Sequence, residues 1–106
     1  MRAGDWVICS GQVAIRDGAL IDAGVGEQVT QALENMKGLL ESQGATMDDV
    51  VKCTVFLVDM DDYAEMNEAY IAAFGDHRPT RSAIAVRELP IGAQVEIEGW
   101  AFTGER

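Results

Sequence analysis

The stretch VVKCTVFLV, Val50 to Val58, is rich in β-branched residues and apolar on both of its alternating faces. Strand side chains point to opposite sides in turn, so such a run is expected where both faces of a sheet are covered. We place it at the centre of a sheet and read outward from it. Upstream, GEQVTQALENMKGLLESQGA sets Val29, Ala32, Leu33, Met36, Leu39 and Leu40 at helical spacing, with Gly44 placed as a C-terminal cap. Downstream, DMDDYAEMNEAYIAAF puts acidic residues at a helix start and Tyr63, Met66, Tyr70, Ile71 and Phe74 on one stripe.

The ends of the chain read as strands. DWVICSGQVAIRDGALI alternates around Asp17-Gly18, a strong hairpin signal. After Pro79, RSAIAVREL and QVEIEGWAF flank Pro90-Ile91-Gly92-Ala93 and read as two antiparallel strands joined by a short loop. The order is ββαβαββ, which points to an α+β fold: a two-layer sandwich with a mixed β-sheet and two helices on one face. The other face would be bare. Depending on parity it carries Phe56 and Val58, or Val51, Val55 and Leu57, and the simplest cover is a second copy of the chain.

With 106 residues, 48% hydrophobic and 25% charged, the chain is expected to form one globular domain over residues 1–106, without repeats or linkers. Eighteen acidic residues against eight basic ones give a net charge of -10, which repels phosphate and anionic lipid, so neither nucleic acid nor membrane is expected as a partner. There is no secretory leader pattern and no membrane-spanning apolar run, so the cytoplasm is the expected location.

Most familiar catalytic signatures fail. Cys9 and Cys53 lie in apolar runs without a CxxC pair and read as buried free thiols. His77, between Asp76 and Arg78, reads as a solvated loop histidine. Asp59-Met60-Asp61-Asp62 lacks the glycine and terminal glutamate of a calcium loop and reads as a helix cap. Gly24-Val25-Gly26 lacks the third glycine of a dinucleotide loop. No metal and no cofactor are therefore expected.

What remains is a polar set in apolar surroundings: Ser10, Gly11, Gln12, Asn67, Arg81, Glu96 and Glu98. Each has a plain alternative: Arg81 as a surface cation, Asn67 as a solvated helix residue, Glu96 as a cross-strand partner of Arg87. If Leu89 pairs with Gln94, Arg87 opposes Glu96 and Arg81 opposes Phe102. Arg81 then stands about 20 Å from Glu96, at roughly 3.3 Å per residue. One chain alone could not bring both to a small substrate.

Taken in order and spacing, SGQ (Ser10–Gln12), NMKGLLESQGATMDDVVKCTVFLVDMDDYAEMNEAY (Asn35–Tyr70), PTRS (Pro79–Ser82) and LPIGAQVEIE (Leu89–Glu98) resemble the YjgF/RidA family of enamine and imine deaminases. The resemblance runs nearly end to end. It implies a chorismate-mutase-like subunit and a homotrimer with ligand clefts between subunits. It also implies cofactor-independent hydrolysis of 2-aminoacrylate-type enamines and their imine tautomers to 2-keto acids and ammonia. In that frame Arg81 would grip the substrate carboxylate, and Glu96 of the neighbouring subunit would activate water and relay a proton to the departing amine. Ser10, Gly11, Asn67 and Ala83 would line the cleft.

The chain departs from the family pattern twice. The tyrosine of a YSQA-like segment ahead of the first strand is missing, and Ala83 stands where relatives frequently carry cysteine or threonine. The alternative that this leaves is a non-catalytic module sensing small carboxylates in the same clefts. Ribonuclease activity, attached to some relatives, is disfavoured by the negative charge and the lack of a basic stripe.

Overall fold

The computed structural model describes residues 1–105. In chain order the elements are β1 (Arg2–Ala3), β2 (Trp6–Gln12), β3 (Ile15–Arg16), β4 (Ala19–Leu20), α1 (Val25–Ser42), β5 (Val50–Leu57), α2 (Tyr63–Phe74), β6 (Thr80–Ala85) and β7 (Val95–Phe102). Five strands form one mixed sheet in the order β1-β2-β7-β5-β6, and β3-β4 is a separate ribbon. Both helices lie on one face of the sheet, giving the two-layer α+β sandwich.

The Asp17-Gly18 turn forms, with φ of 55° and 84°, the paired positive angles of a tight hairpin turn. Its ribbon is only two pairs long, Ile15 with Leu20 and Arg16 with Ala19. Trp6 to Gln12 does not pair with it, and instead runs antiparallel to β1 and β7.

The expected hairpin between the last two strands is absent. β6 pairs parallel to β5, from Lys52 with Thr80 to Leu57 with Ala85, and β7 pairs antiparallel to β5 on its other side. The physical reason is the helix between β5 and β6: a strand–helix–strand connection brings its strands back parallel. The segment after β6 must then cross the end of β5 before β7 can begin. That end is held from both sides, Val86 N donating to Leu57 O and Val58 N donating to Gln94 O.

β5 is inner, as its composition suggests. Cys53, Val55 and Leu57 point to the helices and are fully buried. They pack with Leu33, Met36 and Leu40 of α1, Met66 of α2 and Ile97 of β7. Helix α1 stops in a Schellman turn: Gly44, at φ +79°, donates to Glu41 O and Ala45 N donates to Leu40 O. Leu39, expected on the buried stripe, is 44% exposed.

Lys52, Thr54 and Phe56 alternate with the buried set and face away from the helices, toward no other layer of the chain. The same face carries an aromatic cluster in which Trp6 meets Trp100 edge-on at 6.0 Å and Phe102 at 5.0 Å. Trp100 and Ile84 are each 44% exposed. Of the two parities left open by the sequence, the structure takes the one with Phe56 on the uncovered side. Among the described residues no helix is long and apolar enough to cross a membrane.

Candidate functional site

Arg81 sits on β6, the edge strand, in register with Cys53 and therefore on the helix side of the sheet. Above it, Tyr63, Asn67 and Tyr70 follow one another along α2 at helical spacing. Arg81 Nη1 donates to Asn67 Oδ1 at 2.7 Å and Nη2 donates to the Tyr63 hydroxyl at 2.6 Å. The guanidinium carbon lies 4.7 Å from the centroid of the Tyr70 ring and 5.5 Å from that of Tyr63, within cation–π range of both. Both hydrogen-bond acceptors are neutral, so they orient the charge without cancelling it. Ala83, two residues on and in register with Val55, packs on the same side against the core.

The floor of this niche is neutral. Tyr70 is 3% exposed, and its buried hydroxyl has the Cys53 thiol as its neighbour. Burial, then the adjacent Cys53 thiol, pushes its phenol well above the ordinary 10.0. Burial likewise pushes the Cys53 thiol up, so near neutral pH neither group supplies an anion to offset Arg81.

Glu96 belongs to a second cluster on the opposite face of the sheet. It opposes Phe56, one of the residues pointing away from the helices. The register of β2 against β7 shifts between Cys9 and Gln12, and this brings the Gly11 backbone against the Glu96 side chain. A Cβ at Gly11 would lie 2.6 Å from Glu96 Cδ, so only glycine leaves the carboxylate where it is. Ser10 is exposed beside them, and its carbonyl accepts from Gln12 Nε2 at 3.0 Å. Glu98 continues along the same face. It helps line one cavity of about 620 Å³ with Ser10, Leu39 and Trp100, and another of about 370 Å³ with Trp6, Lys52, Thr54 and Trp100.

The structure thus joins Arg81 with Asn67 and Ala83, Glu96 with Gly11, and Ser10 with Glu98 on the same face as Glu96, but it does not join the two groups. The hairpin register that set Arg81 about 20 Å from Glu96 does not exist. Cys53 and Phe56, their respective partners on β5, are three residues apart, and β6 and β7 lie two strands apart. The backbones are therefore separated by about 14 Å. Opposite facing, more than distance, is what separates the side chains. Arg87, offered as a cross-strand partner of Glu96, has no pairing with it in this topology.

Three residues set aside earlier have structural roles. His77 is not solvated: it is partly buried, with Nε2 2.7 Å from Val50 O, a carbonyl oxygen to which it donates. Asp59 Oδ1 accepts from Asp61 N and caps the turn before α2. At the glycine-flanked start of α1, Gly26 N donates to Glu65 Oε2 at 2.8 Å, so a carboxylate of the chain itself already occupies that helix N-terminus. Among the described residues, no group of three or more His, Cys, Asp or Glu side chains could hold a metal ion.

Sequence reasoning missed the roles of Tyr63 and Tyr70, which it took for apolar stripe. The available signal was their spacing of four and three residues from Asn67, which places a polar side chain among rings on one helix face.

A sequence model described as Endoribonuclease L-PSP matches residues 1–103. The mouse protein named 2-iminobutanoate/2-iminopropanoate deaminase is 41% identical over 100 residues, covering 92% of this chain and 74% of its own. Among solved structures, the Escherichia coli YjgF gene product superposes with a TM-score of 0.93 at 36% identity, covering 98% of this chain and 85% of its own. E. coli TdcF with bound serine superposes with a TM-score of 0.92 at 35% identity, with the same coverage of both chains.

Proposed function

The chain belongs to the endoribonuclease L-PSP family, the YjgF/RidA proteins, and from that membership and the Arg81 niche we propose that it hydrolyses small 2-imino and 2-enamino acids to 2-keto acids and ammonia. The observation that carries this reading is the guanidinium held in place by two neutral acceptors. A fixed, planar, uncompensated cation suits a carboxylate bidentately, which a lysine would reproduce poorly.

The chemistry needs a base beside the bound imine carbon. Glu96 takes a proton from water as the water oxygen bonds to that carbon and the C=N π electrons pass to nitrogen, and it relays that proton to the nitrogen. From the resulting tetrahedral carbinolamine, Glu96 takes the hydroxyl proton and relays it in turn to the nitrogen as the C–N bond breaks. The carbonyl forms and ammonia leaves. Ser10 and Gly11 would frame the water, while Asn67 and Ala83 would line the carboxylate end. No cofactor enters any of these steps.

Since Arg81 and Glu96 face opposite sides of one sheet, each site in this reading takes its Glu96 from a neighbouring copy. The exposed face around Phe56, Trp100 and Ile84 supports an assembly that covers it. We assign a homotrimer, for which light scattering should give about three times the 11.5 kDa chain mass. Ribonuclease activity fits poorly with a net charge of -10, which repels an RNA backbone.

The test is direct. Adding the protein to a threonine dehydratase turning over threonine should accelerate release of 2-ketobutyrate, measured as keto acid and ammonia. Equal rates with and without it, across several amino acids, would refute the reading. The serine bound in E. coli TdcF favours a second reading, small-carboxylate binding without turnover. Calorimetry with 2-ketobutyrate beside the assay separates them, since binding without acceleration supports the second.

A further inference from the structure

We infer that Tyr63 is a ligand-binding residue of this site, whose hydroxyl donates to the bound carboxylate beside Arg81 and makes the niche an array of donors. The inference rests on the proposed carboxylate site and adds a residue and a selectivity to it.

The polarity of two hydrogen bonds sets this role. A guanidinium has N–H donors and no acceptor, so in both contacts Arg81 must be the donor. The Tyr63 oxygen, 2.6 Å from Nη2, is therefore an acceptor there, and its own O–H proton is available for a further bond. Likewise Asn67 presents Oδ1 to Nη1, which turns its Nδ2 amino group away from Arg81. Two of the five guanidinium N–H groups are used in this way, leaving one on each terminal nitrogen and one on Nε. The groups left over are these three N–H donors, the Tyr63 O–H and the Asn67 Nδ2 amino group, against one further lone pair on each of the two acceptor oxygens.

Position supports the same role. Tyr70, the other ring stacked on Arg81, is 3% exposed and closes the inner side, whereas Tyr63 is 38% exposed and stands at the mouth. Of the two rings, Tyr63 is therefore the one that a ligand from solvent can touch. Such a niche favours an anion with acceptor oxygens over a carboxamide, which lacks the charge that Arg81 pairs with and whose NH₂ group would meet mainly donors.

The test is calorimetry with 2-ketobutyrate and 2-ketobutyramide on wild type and Tyr63→Phe. Phenylalanine keeps the ring over Arg81 and removes only the hydroxyl. The expected result is that wild type prefers the acid and that Tyr63→Phe weakens its binding about tenfold, with weak amide binding unchanged. In the dehydratase-coupled assay, KM should rise by a similar factor with kcat within about twofold. The melting temperature should stay within about 2 °C of wild type.

Equal acid affinity in the two proteins, or no acid binding to wild type at millimolar concentration, would overturn the role of Tyr63. So would a lowered melting temperature with unchanged affinity, which would mark Tyr63 as structural. The deaminase reading fails separately: hydroxyl-dependent acid binding without turnover keeps Tyr63 as a ligand residue and removes the reaction.

Discussion

Arg81→Ala should lower kcat/KM for imine hydrolysis by about 10²- to 10³-fold and lose most affinity for 2-ketobutyrate. Removing one partner of a desolvated, hydrogen-bonded charge pair typically costs about 3 to 4 kcal/mol, which sets that factor. The structure gives two reasons for placing the effect high in the range. The guanidinium is already fixed by Asn67 and Tyr63, so little ordering opposes ligand binding. The Tyr70 and Cys53 groups beneath it are pushed toward their neutral forms, so the substrate carboxylate has no internal anion to displace. Arg81→Lys should recover little, because an ammonium cannot hold Asn67 and Tyr63 in one plane and still present a fork. An Arg81→Ala protein with wild-type kcat/KM would remove carboxylate capture from the account.

Glu96→Gln should separate chemistry from binding. The amide keeps the shape that fits over Gly11 but cannot accept a proton from water, so kcat should fall by about 10²- to 10⁴-fold. Affinity for 2-ketobutyrate should change by no more than about threefold, because the carboxylate end of the ligand is held by the other cluster. The two variants thus differ in kind: loss of Arg81 removes binding, loss of Glu96 removes turnover. Steady-state kinetics with calorimetry on both proteins checks this. A Glu96→Gln variant that retained kcat would move the base elsewhere on that face, with Glu98 the nearest candidate along β7.

How much of this was legible in the sequence depended on which interactions are local. The strand from Val50, both helices, the Gly44 cap and the Asp17-Gly18 turn follow from short-range patterns, and all are present. Strand pairing is not local. RSAIAVREL and QVEIEGWAF are as alternating as a true hairpin, and only the crossover through α2 makes the first a parallel neighbour of β5. The register built on that hairpin failed, although the conclusion that one chain cannot unite Arg81 with Glu96 survives on the facing of the two side chains.

The site was legible as residue types and not as contacts. Arg81, Asn67, Gly11 and Glu96 stand out as polar groups in apolar runs, but nothing local shows that Gly11 leaves room for Glu96. The tyrosines matched a buried apolar stripe, and only the fold places them around a cation. His77 misled for the converse reason: its loop looks solvent-exposed until the Val50 carbonyl is brought beside it.

The central claim is that Arg81 and Glu96 complete different sites, each finished by a neighbouring copy. Mixing two inactive proteins tests it most directly. Arg81→Ala and Glu96→Gln chains, unfolded together in equal amounts and refolded, should recover about a quarter of wild-type activity. In a randomly mixed ring, half of the arginines and half of the glutamates at each boundary are intact. Each variant refolded alone should stay inactive. Full loss of activity in the mixture, with mixed oligomers shown to form by native mass spectrometry, would contradict the claim and place both residues in a site that a single chain completes.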